Sequence, residues 1–220
     1  MIISPGRGYI FVHIPKTGGT SLARALEARA HRDDILVGDT PKALRRRGRL
    51  KGLTPRGRLW KHSTLADIDG ILTPVQIAGM RRVALVRNPW DRMVSYYHWL
   101  RGQRFEHPAV RLSQELDFGA FLLHPQTTAS LRAWPAERYL RDATGADRGD
   151  IWLRLEQLEG DLAPFEAHLG FRLDIGHENA SARRRDYRGY YDARTADHLA
   201  EICALEIARF GYGFDGDSGA

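Results

Sequence analysis

The apolar positions of the chain fall into a few short, separated runs whose spacing changes along the sequence. Tyr9-Ile10-Phe11-Val12-His13-Ile14 is nearly continuous, the pattern of a strand buried on both faces, and Val83-Ala84-Leu85-Val86 and Ile151-Trp152-Leu153-Arg154-Leu155 read the same way. Elsewhere the spacing is helical. Leu22-Ala23-Arg24-Ala25-Leu26 opens a helix after the first run, and Met93 to Leu100 has helical character behind Pro89. Thr73-Pro74 reads as an N-cap and first turn of a short helix, and Leu116 to Leu123 as another short helix. Leu158, Leu162, Phe165 and Leu169 recur at helical spacing, with Pro164 beginning or kinking that helix. Asp197 to Phe210 reads as a final amphipathic helix, with Leu199, Ile202, Cys203, Leu205 and Ile207 as its apolar positions. Strands alternating with helices predict an α/β fold, a central parallel sheet flanked by helices. No repeat or linker interrupts the pattern, so residues 1–220 read as a single domain.

The first run leads into Pro15-Lys16-Thr17-Gly18-Gly19-Thr20-Ser21, a turn with one lysine, two glycines and three hydroxyls before the helix. Glycines let a backbone approach an anion, and the helix adds its positive dipole end, so strand, turn and helix together read as a phosphate cradle. It departs from a nucleotide-binding P-loop, in which the lysine closes a longer loop and is followed by a magnesium-binding hydroxyl; here the lysine precedes the glycines. No GxGxxG fingerprint is present either. The second strand runs into Arg87-Asn88-Pro89-Trp90-Asp91-Arg92, which puts Arg87 at the strand's C-terminal end, the edge at which open α/β sheets bind ligands. Ser95 follows two turns into the helix, and an arginine and a serine suit a second phosphate; the plainer reading pairs Arg87 with Asp91.

In this order and spacing, Ile14-Pro15-Lys16-Thr17-Gly18-Gly19-Thr20-Ser21 and Val86-Arg87-Asn88-Pro89-Trp90-Asp91-Arg92-Met93-Val94-Ser95 resemble the sulfotransferases that use 3'-phosphoadenosine 5'-phosphosulfate (PAPS). The carbohydrate branch, with heparan sulfate 2-O-sulfotransferase and small bacterial relatives, looks most similar. The resemblance runs from Tyr9 to Gly211-Tyr212-Gly213-Phe214. It implies a P-loop-like fold in which Lys16, Thr17, Gly18, Gly19, Thr20 and Ser21 hold the donor's 5'-phosphosulfate, Lys16 steadying the leaving oxygen. Arg87 and Ser95 would hold its 3'-phosphate. His62, in Leu59-Trp60-Lys61-His62-Ser63-Thr64, matches the family's catalytic base. Asn179 and Ser181 are further donor contacts by resemblance, and Arg183, Arg184 and Arg185 read as a solvated loop within reach of donor or acceptor. The product would be adenosine 3',5'-bisphosphate (PAP), the acceptor a carbohydrate hydroxyl, and no metal is expected. Imidazole suits a base near neutral pH. The chain has nine histidines; His13, on the first strand, reads as a packed residue.

Composition narrows the alternatives. No run approaches a membrane span, and no long apolar leader opens the sequence, which gives the expectation of a cytoplasmic domain. A single cysteine, Cys203, permits no internal disulfide and reads as a small core residue. Net charge is +6, and between Asp39 and Asp67 nine basic residues stand without an acid. This stretch, broken by glycines and prolines, reads partly as a mobile loop; either it attracts an anionic acceptor or it is a solvated surface. Nucleic acid is not expected as a partner, because the basic run lacks interleaved aromatics. The alternatives are an ATP- and magnesium-dependent kinase and a non-catalytic nucleotide- or polyanion-binding module.

Overall fold

A computed structural model describes residues 1–176 and 186–216. In chain order the elements are β1 (Ile2–Ser4), β2 (Tyr9–Val12), α1 (Gly19–Ala28), β3 (Ile35–Leu36), α2 (Pro41–Arg46), α3 (Pro74–Ala78), β4 (Arg81–Val86), α4 (Pro89–Arg101), α5 (Pro108–Glu115), α6 (Phe118–Leu123), α7 (Pro125–Ala133), α8 (Ala136–Tyr139), β5 (Ile151–Arg154), α9 (Leu158–Asp161), α10 (Ala163–Leu169), α11 (Ala193–Ile202) and α12 (Ala204–Phe210), with single 3-10 turns between some of them. The contacts divide the described chain into two compact units, one of Met1–Val86 and residues 136–176, the other of Arg87–Pro135 and residues 186–216.

The first unit holds the whole sheet, in the order β3-β1-β2-β4-β5. β2, β4 and β5 are parallel, as their unbroken apolar runs predict, with Phe11 beside Val83 and Leu85 beside Leu153. The sheet is nevertheless mixed, because β1 pairs antiparallel with both β2 and β3. The cause is local. Pro5–Arg7 form one 3-10 turn, Gly8 takes φ 64°, and the chain folds back after three residues. A three-residue strand and a two-residue strand are too short to leave a period in the sequence. Tyr9, Phe11, Val83, Leu85 and Leu153 face Leu22 and Leu26 of α1 and Phe165 of α10 in one apolar cluster, with Phe165 edge-on to Tyr9 at 5.4 Å. Ile10, Val12, Ala84 and Val86, on the opposite face, are also buried. Both faces are therefore covered, as parallel strands require.

Several helix boundaries follow capping chemistry. Thr73 and Gln76 form a reciprocal capping box at α3, and Asp117 caps α6, so that helix starts at Phe118 rather than Leu116. Pro164 sits in the first turn of α10, and the expected single stripe is split into α9 and α10 around Leu162. The final helix is also two: α11 begins at a capping box on Asp192, earlier than expected, and α12 follows a break at Cys203. Leu199 is buried, but Cys203 is only half-buried and Leu205 is exposed, so the apolar stripe is shorter than its letters suggest. The basic stretch is ordered at its start: α2 is capped by Thr40, and Arg46 and Arg49 donate to the carbonyls of His31 and Arg32.

The second unit is helical. Tyr97 of α4 packs on Phe118 and Phe121 of α6 with ring centroids 5.4 and 5.2 Å away. Among the described residues no helix is long and apolar enough to cross a membrane.

Candidate functional site

In the first unit, β2 ends at Val12 and the chain turns through His13–Gly18 into α1. Lys16 has φ 66°, the one positive value among the described non-glycine residues, and Gly18 has φ 83°. Thr17 and Gly19 are not in that region, so the backbone alternates in hand from Lys16 to Gly19. Alternating hand turns successive N–H groups toward one concave side, the geometry of an anion nest. The amides of Gly19 and Thr20, which open α1, add to it, while that of Ser21 donates to the Gly18 carbonyl at 3.3 Å. Left-handed backbone costs an L-residue about 1–2 kcal/mol, so Lys16 is held there by its surroundings. Part of that hold is visible: buried Thr17 donates its hydroxyl to the carbonyl of Ile14 at 2.9 Å, closing the loop from inside. The Thr17 side chain is thereby committed to the loop, and its contribution to any ligand is through the backbone. Thr20 and Ser21 lie half-buried in the first turn of α1.

Gly19 marks a close approach. A Cβ placed there would meet the His13 ring at 2.5 Å. Gly19→Ala is expected to destabilise the fold by roughly 1–3 kcal/mol, as overpacking does, where alanine in place of glycine at a helix position ordinarily stabilises. Thermal unfolding of the variant reads the sign directly.

His62 belongs to the same unit and stands on this loop. Its Nδ1 lies 2.7 Å from the carbonyl oxygen of His13. A carbonyl only accepts, so Nδ1 carries the hydrogen and Nε2 is left with its lone pair, the form a base needs. Among the described residues no group bonds to Nε2. The ring is clamped edge-to-face, with His13 at 4.8 Å and Trp60 at 5.0 Å. Burial pushes the His62 pKa down from 6.5 to about 4, opposed by the bond to the His13 carbonyl and assisted by the Lys61 ammonium. Burial also holds His13 well below its usual value. Both rings are neutral near neutral pH. Lys61 is itself held by Asp39 at 2.5 Å. His13 and Trp60 are the site neighbours that reading the sequence missed as such: His13 was legible as a packed strand residue, but its carbonyl and ring orient the adjacent histidine, and no periodicity carries that.

The second unit opens with Arg87. Its Nε and Nη2 both donate to Asp91 Oδ2, at 2.9 and 2.5 Å, so the plainer pairing expected from the sequence is present. Asn88 caps α4, accepting from the amides of Trp90 and Asp91, and its Nδ2 donates to the Gly213 carbonyl at 3.0 Å. The segment is thus fixed to the C-terminal chain, where Tyr191 donates to the Trp90 carbonyl at 2.8 Å. Ser95 is buried on α4. Lys16, Thr17, Gly18, Gly19, Thr20, Ser21 and His62 share one unit, and Arg87 and Ser95 belong to the other. Asn179 and Ser181, with Arg183, Arg184 and Arg185, lie outside the described residues.

A mixed sheet with a parallel core, a left-handed turn feeding a helix and flanking helices defines an α/β fold of the sulfotransferase kind. Among solved structures the chain is similar to mouse sulfotransferase SULT7A1 complexed with PAP, with TM-score 0.51 and 16% sequence identity over 91% of this chain and 84% of that chain. No protein-family model and no curated protein sequence matches it.

Proposed function

We propose that the chain is a PAPS-dependent sulfotransferase acting on a hydroxyl acceptor, and that the acceptor is a carbohydrate. The observation that carries the reading is the His13–Ser21 turn: a lysine held in left-handed backbone, alternating amides and a helix start, beside a histidine whose tautomer leaves a lone pair on Nε2. The fold likeness to a PAP-bound sulfotransferase supports it. A nest of amides and an ammonium suit a doubly anionic phosphosulfate.

In this mechanism the amides of residues 17–21 hold the 5'-phosphate group and Lys16 neutralises negative charge gathering on its bridging oxygen. His62 Nε2 takes the proton of the acceptor hydroxyl as that oxygen bonds to sulfur. The bond from sulfur to the bridging oxygen breaks in line, and both electrons leave with PAP. Positioning and preset charge supply the rate, as in phosphoryl transfer. Arg87 and Ser95 are proposed to bind the 3'-phosphate, with Asp91 fixing the guanidinium plane. The test is incubation of the full chain with PAPS and a mixture of oligosaccharides. Sulfated product and PAP in equal amounts support the reading; PAP formation only by hydrolysis contradicts it.

Arg87→Ala is expected to weaken PAP about 10- to 100-fold, the worth of a charge-assisted hydrogen bond, while leaving the affinity for AMP unchanged. Calorimetric titration with both nucleotides checks it, and an equal loss for AMP removes Arg87 from the 3'-phosphate.

A further inference from the structure

Trp60 stays 40% exposed, yet the chain fixes it more firmly than an exposed side chain requires. Its turn closes on Ser63, which is fully buried. The Ser63 hydroxyl accepts from the Trp60 amide at 2.8 Å and lies 2.8 Å from the carbonyls of Arg58 and Trp60, which share its hydrogen. The Ser63 amide donates to the Trp60 carbonyl at 3.0 Å. The exposed Arg58 guanidinium stands over the indole, 5.1 Å from its centroid.

All of these residues belong to the first unit, and the indole meets the His62 ring with 84° between their planes. The other ring on His62, that of His13, is buried, so His62 lies between an inner ring and an outer one. The charged and titratable groups around it come from several segments. Lys61 adjoins it and is paired with Asp39. The Met1 amine donates to the Lys61 carbonyl at 2.9 Å, and burial lowers it to about 5. Burial holds His13 well below its usual value, and Arg58 stands across the indole. A paired ammonium and an uncharged amine leave the exclusion of water as the main influence, in agreement with burial as the first cause of the depression of His62 to about 4.

We propose that Trp60 is a positioning residue that keeps water from the outer side of His62, with Ser63 and Arg58 holding the indole in place. A charged imidazole needs water or an acceptor, and an apolar ring supplies neither. An aromatic face could act in the opposite sense and favour the charged imidazole. This indole already carries Arg58, whose charge opposes a second cation beside it. The effect of Trp60 is therefore to keep His62 neutral. The use of that neutral ring in proton transfer rests on the sulfotransferase reading; the hold of Trp60 on its protonation does not.

The test follows the histidine ring nitrogens by NMR in the full isotope-labelled chain as pH is lowered, with His62→Gln identifying the His62 signal. Native His62 is expected to stay neutral through 6.5. In Trp60→Ala its midpoint is expected to rise by about one pH unit or more, a gain of about tenfold in proton affinity, while His13 stays neutral. Trp60→Phe keeps a smaller apolar ring and should show a smaller rise. Thermal melts confirm that the variants fold, and Trp60→Phe decides the question by itself if the alanine variant does not. An unmoved or lower His62 midpoint overturns the inference. So does a joint rise of His62 and His13, the mark of a loosened loop. With PAPS and the oligosaccharide mixture, the acid limb of kcat/KM should move with the NMR midpoint. Sulfation whose acid limb ignores the Trp60 variants overturns the inference while leaving the sulfotransferase reading intact. A raised NMR midpoint in a chain that makes no sulfated product does the reverse.

Discussion

Replacing His62 with alanine is expected to lower turnover by about 10²- to 10⁴-fold, the usual worth of a positioned general base. Donor binding should be unchanged, because the role proposed for the ring is on the acceptor's proton rather than on the nucleotide. Two features make the effect specific to the imidazole. The His13 carbonyl fixes the hydrogen on Nδ1, and the Trp60 and His13 rings fix the plane, so Nε2 has one direction and one protonation state. His62→Gln keeps a donor for that carbonyl and should hold the fold while remaining nearly as slow. The pH profile gives a second, independent reading. An ordinary histidine base would lose half its activity at 6.5. Burial holds this one at about 4, so under the proposed mechanism kcat/KM for the native chain should stay level through 6.5 and fall only as pH approaches about 4. The stability linkage has the same cause and a defined sign. Unfolding frees His62 to bind a proton at 6.5, so below that value the unfolded state gains protons first. The contribution of the neutral buried ring is complete above 6.5 and is lost as pH falls toward about 4. Turnover that survives in His62→Ala, or a midpoint at 6.5, removes His62 from the role.

Lys16→Ala is expected to cost about 10²- to 10³-fold in kcat at saturating donor, in the range seen when one preset charge-stabilising group is removed. The charge on the bridging oxygen grows as sulfur departs, so the loss belongs in kcat more than in donor affinity. The backbone of this residue separates function from stability. With φ 66°, Lys16 pays the cost of left-handed geometry, about 1–2 kcal/mol, which glycine does not pay. Lys16→Gly should therefore be as slow as Lys16→Ala while melting no lower than the native chain. A rate within a few-fold of native in both variants removes the lysine from the leaving oxygen.

What could be read from the sequence follows the range of the interaction involved. The strands β2 and β4 were legible because the apolar runs that end them are buried on both faces; β5, at the sheet edge with only Leu153 fully buried, was legible from its apolar letters. β1 and β3 were not, since strands of three and two residues are too short to leave a period, although Ile2 and Leu36 are core residues. The turn at Lys16 to Ser21 was legible from its glycines and its position before a helix; the left-handed lysine within it was not, because lysine gives no local signal for positive φ. Arg87 and Asp91 could be paired by their spacing of four across the start of α4. The surroundings of His62 could not, since its carbonyl partner lies 49 residues away. The split of the last helix at Cys203 was hidden for the opposite reason: apolar letters continue across the break, while Leu205 turns out to solvent.

The central claim is that the chain recognises a nucleotide carrying both a 5'- and a 3'-phosphate, and calorimetric titration of the native chain with PAP, AMP and ATP·Mg addresses it without knowledge of the acceptor. The sulfotransferase reading predicts tight PAP binding that AMP and ATP·Mg do not approach. Equal affinity for AMP, or a preference for ATP·Mg, would contradict it and favour a nucleotide-binding module or a kinase.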